Sequence, residues 1–298
     1  MSQTGQLDWA RDGTLWPYHE ASAFVAAAGY QWHVQRFAGA REKPQLLLIH
    51  GTGASVHSWA WMIPLLEDQF DILAFDLPGH GFTRTDRYRA PTLSVVSTAI
   101  KTLLADLTFT PDIIMGHSAG AAIMLEMMAQ NPDASRLGIS INGALLPFPG
   151  PARHLFPAMA KMLHFNPFTA GLFAQSARDP RRVQRLITQT GSTVPAQSTD
   201  CYERLFAASD HVRGALALMA NWDLTRMPDK LSSIDVPIIF VSGEKDRAVP
   251  ARDARRCAAM ARRGTVISLP GLGHLAHEEA PDQIVAALQP GFSEALGD

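Results

Sequence analysis

Cysteine is scarce: the 298-residue chain carries two, Cys201 and Cys257, far apart and in no metal-binding spacing. That excludes a disulfide framework and a thiolate metal site, and reduced thiols are what a cytosolic protein carries. An excess of one charge is missing too. Twenty-six Lys and Arg stand against 28 Asp and Glu, a formal net charge of −2. Nothing global therefore points to a nucleic-acid partner. No apolar run approaches the ~18 residues of a membrane span. The first residues, Met1 to Asp8, have neither the basic start nor the apolar segment of a signal peptide. Internal repeats and low-complexity tracts are absent as well. These absences predict a soluble, cytoplasmic globular protein with no membrane span.

What is present is apolar and segmented. The hydrophobic fraction of 47% is enough to bury a sizeable core. Gln31–Phe37, which alternates in part, and the short apolar runs at Gln45–Ile49, Asp71–Phe75, Ile113–Met115, Leu137–Ile141, Val236–Val241 and Thr265–Leu269 read as strands. Helical periodicity lies between most of them, at Leu93–Leu107, Ala121–Gln130 and Ala251–Ala261. Strands alternating with helices imply an α/β protein with a mostly parallel sheet covered on both faces. The rhythm breaks between about residues 143 and 233, where Phe, Met, Arg and Pro are plentiful and no strand is evident. The boundaries read as a core of 1–143 and 233–298, with a helical cap of 144–232 inserted above the carboxyl ends of the strands.

Gly116-His117-Ser118-Ala119-Gly120 follows one strand directly and opens a helix. Small residues on both sides allow the sharp turn that lifts a serine oxygen out of the backbone, a nucleophile elbow. A serine hydroxyl is a weak nucleophile and needs a base, which needs an orienting group. The expected chain order is serine, acid, histidine, with the acid after a late strand and the histidine after the last one. Asp246 in Gly243-Glu244-Lys245-Asp246 and His274 in Gly271-Leu272-Gly273-His274 stand at those places. Ser118 is thus the expected nucleophile, His274 the base and then the acid, and Asp246 the orienter. Glu244 is the nearest rival acid.

The oxyanion that develops in acyl transfer needs backbone donors. Ala119, after the nucleophile, supplies one. The other is expected from His50-Gly51-Thr52-Gly53, with Thr52 first and Gly53 second. His274, His277 and Glu278 lack the His-Glu-x-x-His order of a zinc protease, so neither a metal nor a cofactor is expected. His50, His80 and His117 read as structural or pocket-lining. Two arginine groups, Arg178/181/182/185 and Arg252/255/256/262/263, read as solvated helix faces or, failing that, as a docking surface for an acidic partner or membrane. The aromatic and methionine supply of the insertion favours an apolar pocket for a bulky ligand. Its expected lining is His117, Trp59, Phe148, Phe156, Met159 and Trp222.

Taken together, these motifs resemble an α/β-hydrolase with a helical cap: a mostly parallel eight-stranded sheet with helices on both faces. Serine at the elbow separates it from the branches that use aspartate there, the dehalogenases and epoxide hydrolases. Longer runs are similar to the magnesium-chelatase accessory proteins of bacteriochlorophyll biosynthesis. They are Trp32-His33-Val34-Gln35-Arg36, His50 to Ser55 with Ser58-Trp59, Ala144 to Gly150, Met219 to Leu224, Asp246 to Pro250 and Gly273 to Glu279. That resemblance implies a role near magnesium insertion into protoporphyrin in a phototrophic bacterium. It implies a hydrophobic small-molecule substrate, with a porphyrin as one candidate, and a contact with magnesium chelatase. It leaves open whether the triad works on an ester, sits idle in a porphyrin-binding accessory module, or belongs to a general carboxylesterase or carbon–carbon bond hydrolase.

Overall fold

The computed structural model describes residues 5–38, 43–85, 89–147 and 152–297. Its strands are β1 (Ser22–Ala27), β2 (Tyr30–Phe37), β3 (Gln45–Ile49), β4 (Asp71–Phe75), β5 (Arg84–Thr85), β6 (Ile113–His117), β7 (Leu137–Ile141), β8 (Ile238–Gly243) and β9 (Gly264–Leu269). Eight of them form one sheet in the order β1-β2-β4-β3-β6-β7-β8-β9, and the two-residue β5 pairs with β2 at the side. β2 runs antiparallel to both β1 and β4, and the rest of the main path is parallel. The parallel strands are short and apolar on both faces because helices cover both.

The side-chain alternation of a strand divides the core in two. Leu46, Leu48, Ile72 and Met115 point to one face, where Ile284, Leu288 and Phe292 of the helix Pro281–Leu296 meet them. Leu47, Ile49, Leu73 and Ile114 point to the other, beneath the helices Leu93–Asp106 and Ala119–Gln130. Each such side chain, fully buried, contributes roughly 1.5–3 kcal/mol of transfer free energy. β1 escaped the sequence reading for a physical reason. It is an edge strand with most of its residues partly or fully exposed, joined to β2 through the left-handed pair Ala28 and Gly29.

Between β7 and β8 the described residues hold no strand. Five helices, Ala152–Phe165, Thr169–Ser176, Pro180–Gln189, Ala196–Ala207 and Ser209–Ala220, pack on one another as the insertion. The next helix, Met227–Ser233, packs instead against Ala119–Gln130 and Arg252–Met260, with Met227 and Leu231 in the second core cluster. The insertion is seated on the sheet by a contact that only glycine permits. Gly214 lies against Gly79 of the loop after β4, and a Cβ on Gly214 would overlap the Gly79 carbonyl oxygen. No described helix is long and apolar enough to cross a membrane.

Candidate active site

Ser118 stands between β6 and the helix Ala119–Gln130 with φ 50 and ψ −113, a conformation that non-glycine residues rarely adopt. Its N–H donates to the Ile141 carbonyl at 3.0 Å, and its carbonyl accepts from Ala121 and Ala144. The flanking glycines are steric necessities. A Cβ on Gly116 would stand 2.5 Å from the Ala121 nitrogen, and one on Gly120 would overlap the Ile49 carbonyl oxygen. The turn is sharp because backbone occupies the space a side chain would need.

Three side chains meet there. The Ser118 hydroxyl lies 3.1 Å from His274 Nε2, and His274 Nδ1 lies 2.8 Å from Asp246 Oδ2. With Nδ1–H donated to the carboxylate, Nε2 is left as the acceptor for the hydroxyl. Glu244, the rival acid, is exposed, whereas the Asp246 side chain is 1% exposed. Asp246 has further donors: Asn142 Nδ2 at 2.7 Å on Oδ2, and the N–H groups of Ala248 and Val249, each at 2.8 Å, on Oδ1. Burial pushes its pKa up. The hydrogen bond and charge of His274, with the Val249 and Asn142 bonds, more than offset this, so the carboxyl sits below its usual range.

The loop after β3 closes on the serine, since a Cβ on Gly51 would stand 3.0 Å from Ser118 Cβ. Ala119 begins its helix, so its N–H has no intrahelical acceptor. Among the described residues no backbone acceptor lies on the N–H of Thr52 or Gly53. Two buried histidines hold this loop. His50 donates through Nδ1 to the Gly51 carbonyl and accepts through Nε2 from Leu77 N–H. His211, from the insertion, donates through Nε2 to the Gly53 carbonyl and accepts through Nδ1 from Gly81 N–H. Burial lowers the pKa of both, His211 to about 4, which keeps them in the neutral form this bonding requires.

A segment of the insertion also reaches the acid and base loops. The Thr190 carbonyl accepts from Arg247 N–H at 3.0 Å and His274 N–H at 3.4 Å. Gly191, with φ +88, is so close that a Cβ would overlap the Lys245 carbonyl oxygen. Ser192 Oγ accepts from Leu275 N–H at 2.8 Å.

The described side chains among the expected pocket residues fall in different places. Trp59 is fully buried in the core against the His277 ring, because the turn Val56–Trp59 packs inward under the insertion. His117 is also buried, the last residue of β6, and its Nε2–H donates to the His274 carbonyl at 2.9 Å. Burial, then the neighbouring His274, lowers its pKa to about 3. It braces the base loop from below. Met159 is 44% exposed on the outer surface of its helix. Trp222 is half-buried against the second core cluster. Phe148 lies outside the described residues, as does the side chain of Phe156. Phe206, which the sequence reading passed over, sits 3.5 Å from where a Gly53 Cβ would be. Asn142, Thr190 and Ser192 were missed as well. For Asn142 the Asn-Gly pair after a strand was an available turn signal. No group of three or more described His, Cys, Asp or Glu residues is arranged to hold a metal ion.

A parallel sheet with a serine elbow, and a histidine and an acid on later loops, defines a class. The chain belongs to the alpha/beta hydrolase family, whose model matches residues 46–287. It is 37% identical over 267 residues to the magnesium-chelatase 30 kDa subunit of Rhodobacter capsulatus, covering 90% of this chain and 93% of that one. It is 25% identical to a pimeloyl-[acyl-carrier protein] methyl ester esterase of Xanthomonas axonopodis over 83% of this chain and 94% of that one. An esterase from Thermogutta terrifontis superposes with a TM-score of 0.72 at 16% identity, covering 92% of this chain and 98% of that one. A haloalkane dehalogenase from Bradyrhizobium elkanii superposes with 0.75 at 16% identity, over 93% and 97%. Those two likenesses concern the fold alone.

Proposed function

We propose that the protein is a serine hydrolase that cleaves an ester or related acyl bond of a hydrophobic molecule in the cytoplasm. The observation that carries this reading is the continuous hydrogen-bonded line from Ser118 Oγ through the His274 ring to Asp246, at 3.1 and 2.8 Å. His274 Nε2 takes the hydroxyl proton as Ser118 Oγ bonds to the acyl carbon, and the carbonyl electron pair moves onto oxygen. The N–H of Ala119 with that of Thr52 or Gly53 receives this oxyanion, each donor being worth roughly 10²–10³ in turnover. The imidazolium, held by Asp246, then protonates the leaving group, and an acyl group remains on Ser118. Water, deprotonated by His274, releases the acid and restores the hydroxyl. The helices from Ala152 to Ala220 serve as the cap that shapes the acyl site.

A fluorophosphonate probe tests the reading directly. Covalent label should appear on Ser118 and vanish in Ser118→Ala, and failure to label well-folded protein would overturn it.

The likeness to the Rhodobacter subunit supports placing this reaction beside magnesium insertion into protoporphyrin, in bacteriochlorophyll synthesis. The same likeness favours a second reading, an accessory module that binds a porphyrin or touches magnesium chelatase without turnover. Titration of protoporphyrin, followed at its Soret band, separates the two. A spectral shift that persists in Ser118→Ala, with no probe labelling of the native protein, favours the module. Broad turnover of short acyl esters, with pigment synthesis intact after deletion, would mark a general carboxylesterase or carbon–carbon bond hydrolase instead.

A further inference from the structure

The insertion carries an apolar ridge that stands exposed among the described residues. Met162 is 66% exposed, Phe165 74%, Phe168 72% and Leu172 68%. They follow one another through the end of the helix Ala152–Phe165 and the start of Thr169–Ser176, two helices in contact with each other. The two phenylalanines flank the tight connection at Asn166, whose side chain accepts from Phe168 N–H. Elsewhere exposed large apolar residues stand singly, as Leu15 does, which is ordinary for a protein surface. These four at three- or four-residue spacing, with Met159 at 44% one turn before them, are not ordinary.

The charge of the same region supplies the second observation. Residues 152–192 hold six Lys and Arg against one acidic residue, in a chain whose net charge is −2. Asp179, the acidic one, spends an oxygen capping its helix at Arg181 N–H. Arg181, Arg182 and Arg185 stand exposed on the helix Pro180–Gln189 while Val183 and Ile187 face inward. None of these three arginines, nor Lys161 or Arg178, has a carboxylate within 4 Å among the described residues. Glu203 is the acidic side chain that shares a groove with Arg181 and Arg185. The later basic group behaves differently. Arg256, Arg262 and Arg263 are paired with Asp253, Asp235 and Glu294.

We propose that the insertion docks on an anionic lipid bilayer through this apolar ridge and the arginine-bearing helix that follows it in the chain. Met162, Phe165, Phe168 and Leu172 would enter the acyl boundary, and Arg181, Arg182 and Arg185 would meet the lipid phosphates. Exposed apolar groups and cations without carboxylate partners in one insertion are what an interfacial segment needs, because either contribution alone gives weak, reversible attachment. The surface does not depend on whether Ser118 reacts.

Co-sedimentation of the full chain with vesicles tests the assignment. One set is phosphatidylcholine with roughly one-third phosphatidylglycerol and the other is phosphatidylcholine alone. The protein should pellet with the anionic set, and binding should weaken as salt screens the arginines. Phe165→Ser with Phe168→Ser should lose at least about tenfold in affinity. Arg181→Glu with Arg185→Glu should abolish the preference for anionic vesicles, and Leu15→Ser should change nothing. These side chains stand in solvent, so the variants keep their fold. Failure of the folded protein to bind anionic vesicles at low salt would overturn the proposal. So would binding indifferent to both double substitutions. Concentration-dependent self-association, lost in the phenylalanine variant and unaccompanied by vesicle binding, would assign the ridge to a second copy of the chain and overturn it too.

Discussion

Asn142 donates its side-chain amide to Asp246 Oδ2 at 2.7 Å, the same oxygen that receives the His274 ring. It does so from a left-handed backbone position, φ 47, at the end of β7. Its role is to hold the carboxylate still, and that role can be separated from its backbone conformation.

Asn142→Gly keeps the left-handed backbone at no steric penalty while removing the donor. Turnover should fall roughly tenfold, by analogy with loss of one charge-assisted bond. Asp246 loses one of the bonds that depress its pKa, so its carboxyl should titrate at higher pH. The native stability it provides, present above the unfolded carboxyl pKa and lost as pH falls through the folded one, should begin to fail at a less acid pH. Acid unfolding curves of the two proteins check this, and superimposable curves would refute it.

Ser118 itself stores strain. Ser118→Ala should leave the melting temperature near that of the native protein, because the φ is unchanged. Ser118→Gly should be more stable than Ser118→Ala by about 1 kcal/mol, relief of a strained φ outweighing glycine's entropy. Denaturant midpoints decide it, and equal midpoints would place the strain elsewhere.

Gly120 admits no side chain. Even Gly120→Ala should destabilise the protein by about 3 kcal/mol or more, since the new methyl overlaps the Ile49 carbonyl that the β3 loop needs in place. A soluble, fully stable Gly120→Ala protein would contradict the packing described for the elbow.

Glu278 is fully buried, with the Tyr202 hydroxyl donating to Oε1 at 2.7 Å. Burial raises its pKa to about 8. A carboxyl raised in the folded state contributes stability that is whole below its unfolded pKa and is lost as pH rises through the folded one. Native stability should therefore decline between about pH 5 and about pH 8 on account of this residue. Glu278→Gln, which keeps the acceptor for Tyr202, should flatten that decline by about 1–3 kcal/mol. Melting temperatures across this range would show it, and parallel curves would deny it.

Ser192→Ala removes the acceptor of the buried Leu275 N–H, next to His274. The expected result is a loss of about 1–2 kcal/mol of stability together with lower turnover at unchanged KM, since the base loop rather than the substrate site is loosened. A change in KM alone would show that the contact shapes binding instead.

Much of the sheet and the elbow could be read directly from the residues. Gln45–Ile49, Asp71–Phe75 and Leu137–Ile141 are continuous apolar runs because they are buried on both faces, and such runs declare themselves. β1 has five of its six residues partly or fully exposed and declared nothing. Ser118, Asp246 and His274 could be named because glycine punctuation marks where strands end. The pocket could not. An aromatic residue such as Trp59 looks alike in sequence whether it lines a cleft or fills a core, and only the direction of the Val56–Trp59 turn separates the cases. Thr190 and Ser192 were invisible for a related reason, since contacts made across more than fifty residues leave no local periodicity.

The contacts of residues 190–192 bear on how such proteins can be rebuilt. Because Thr190, Gly191 and Ser192 wedge between the loops that carry Asp246 and His274, the helical insertion is not a detachable module. A chimera that grafts a relative's insertion at its two sheet junctions would also have to import matching residues around 245–247 and 273–275. Otherwise it would trade a new specificity for a misaligned base.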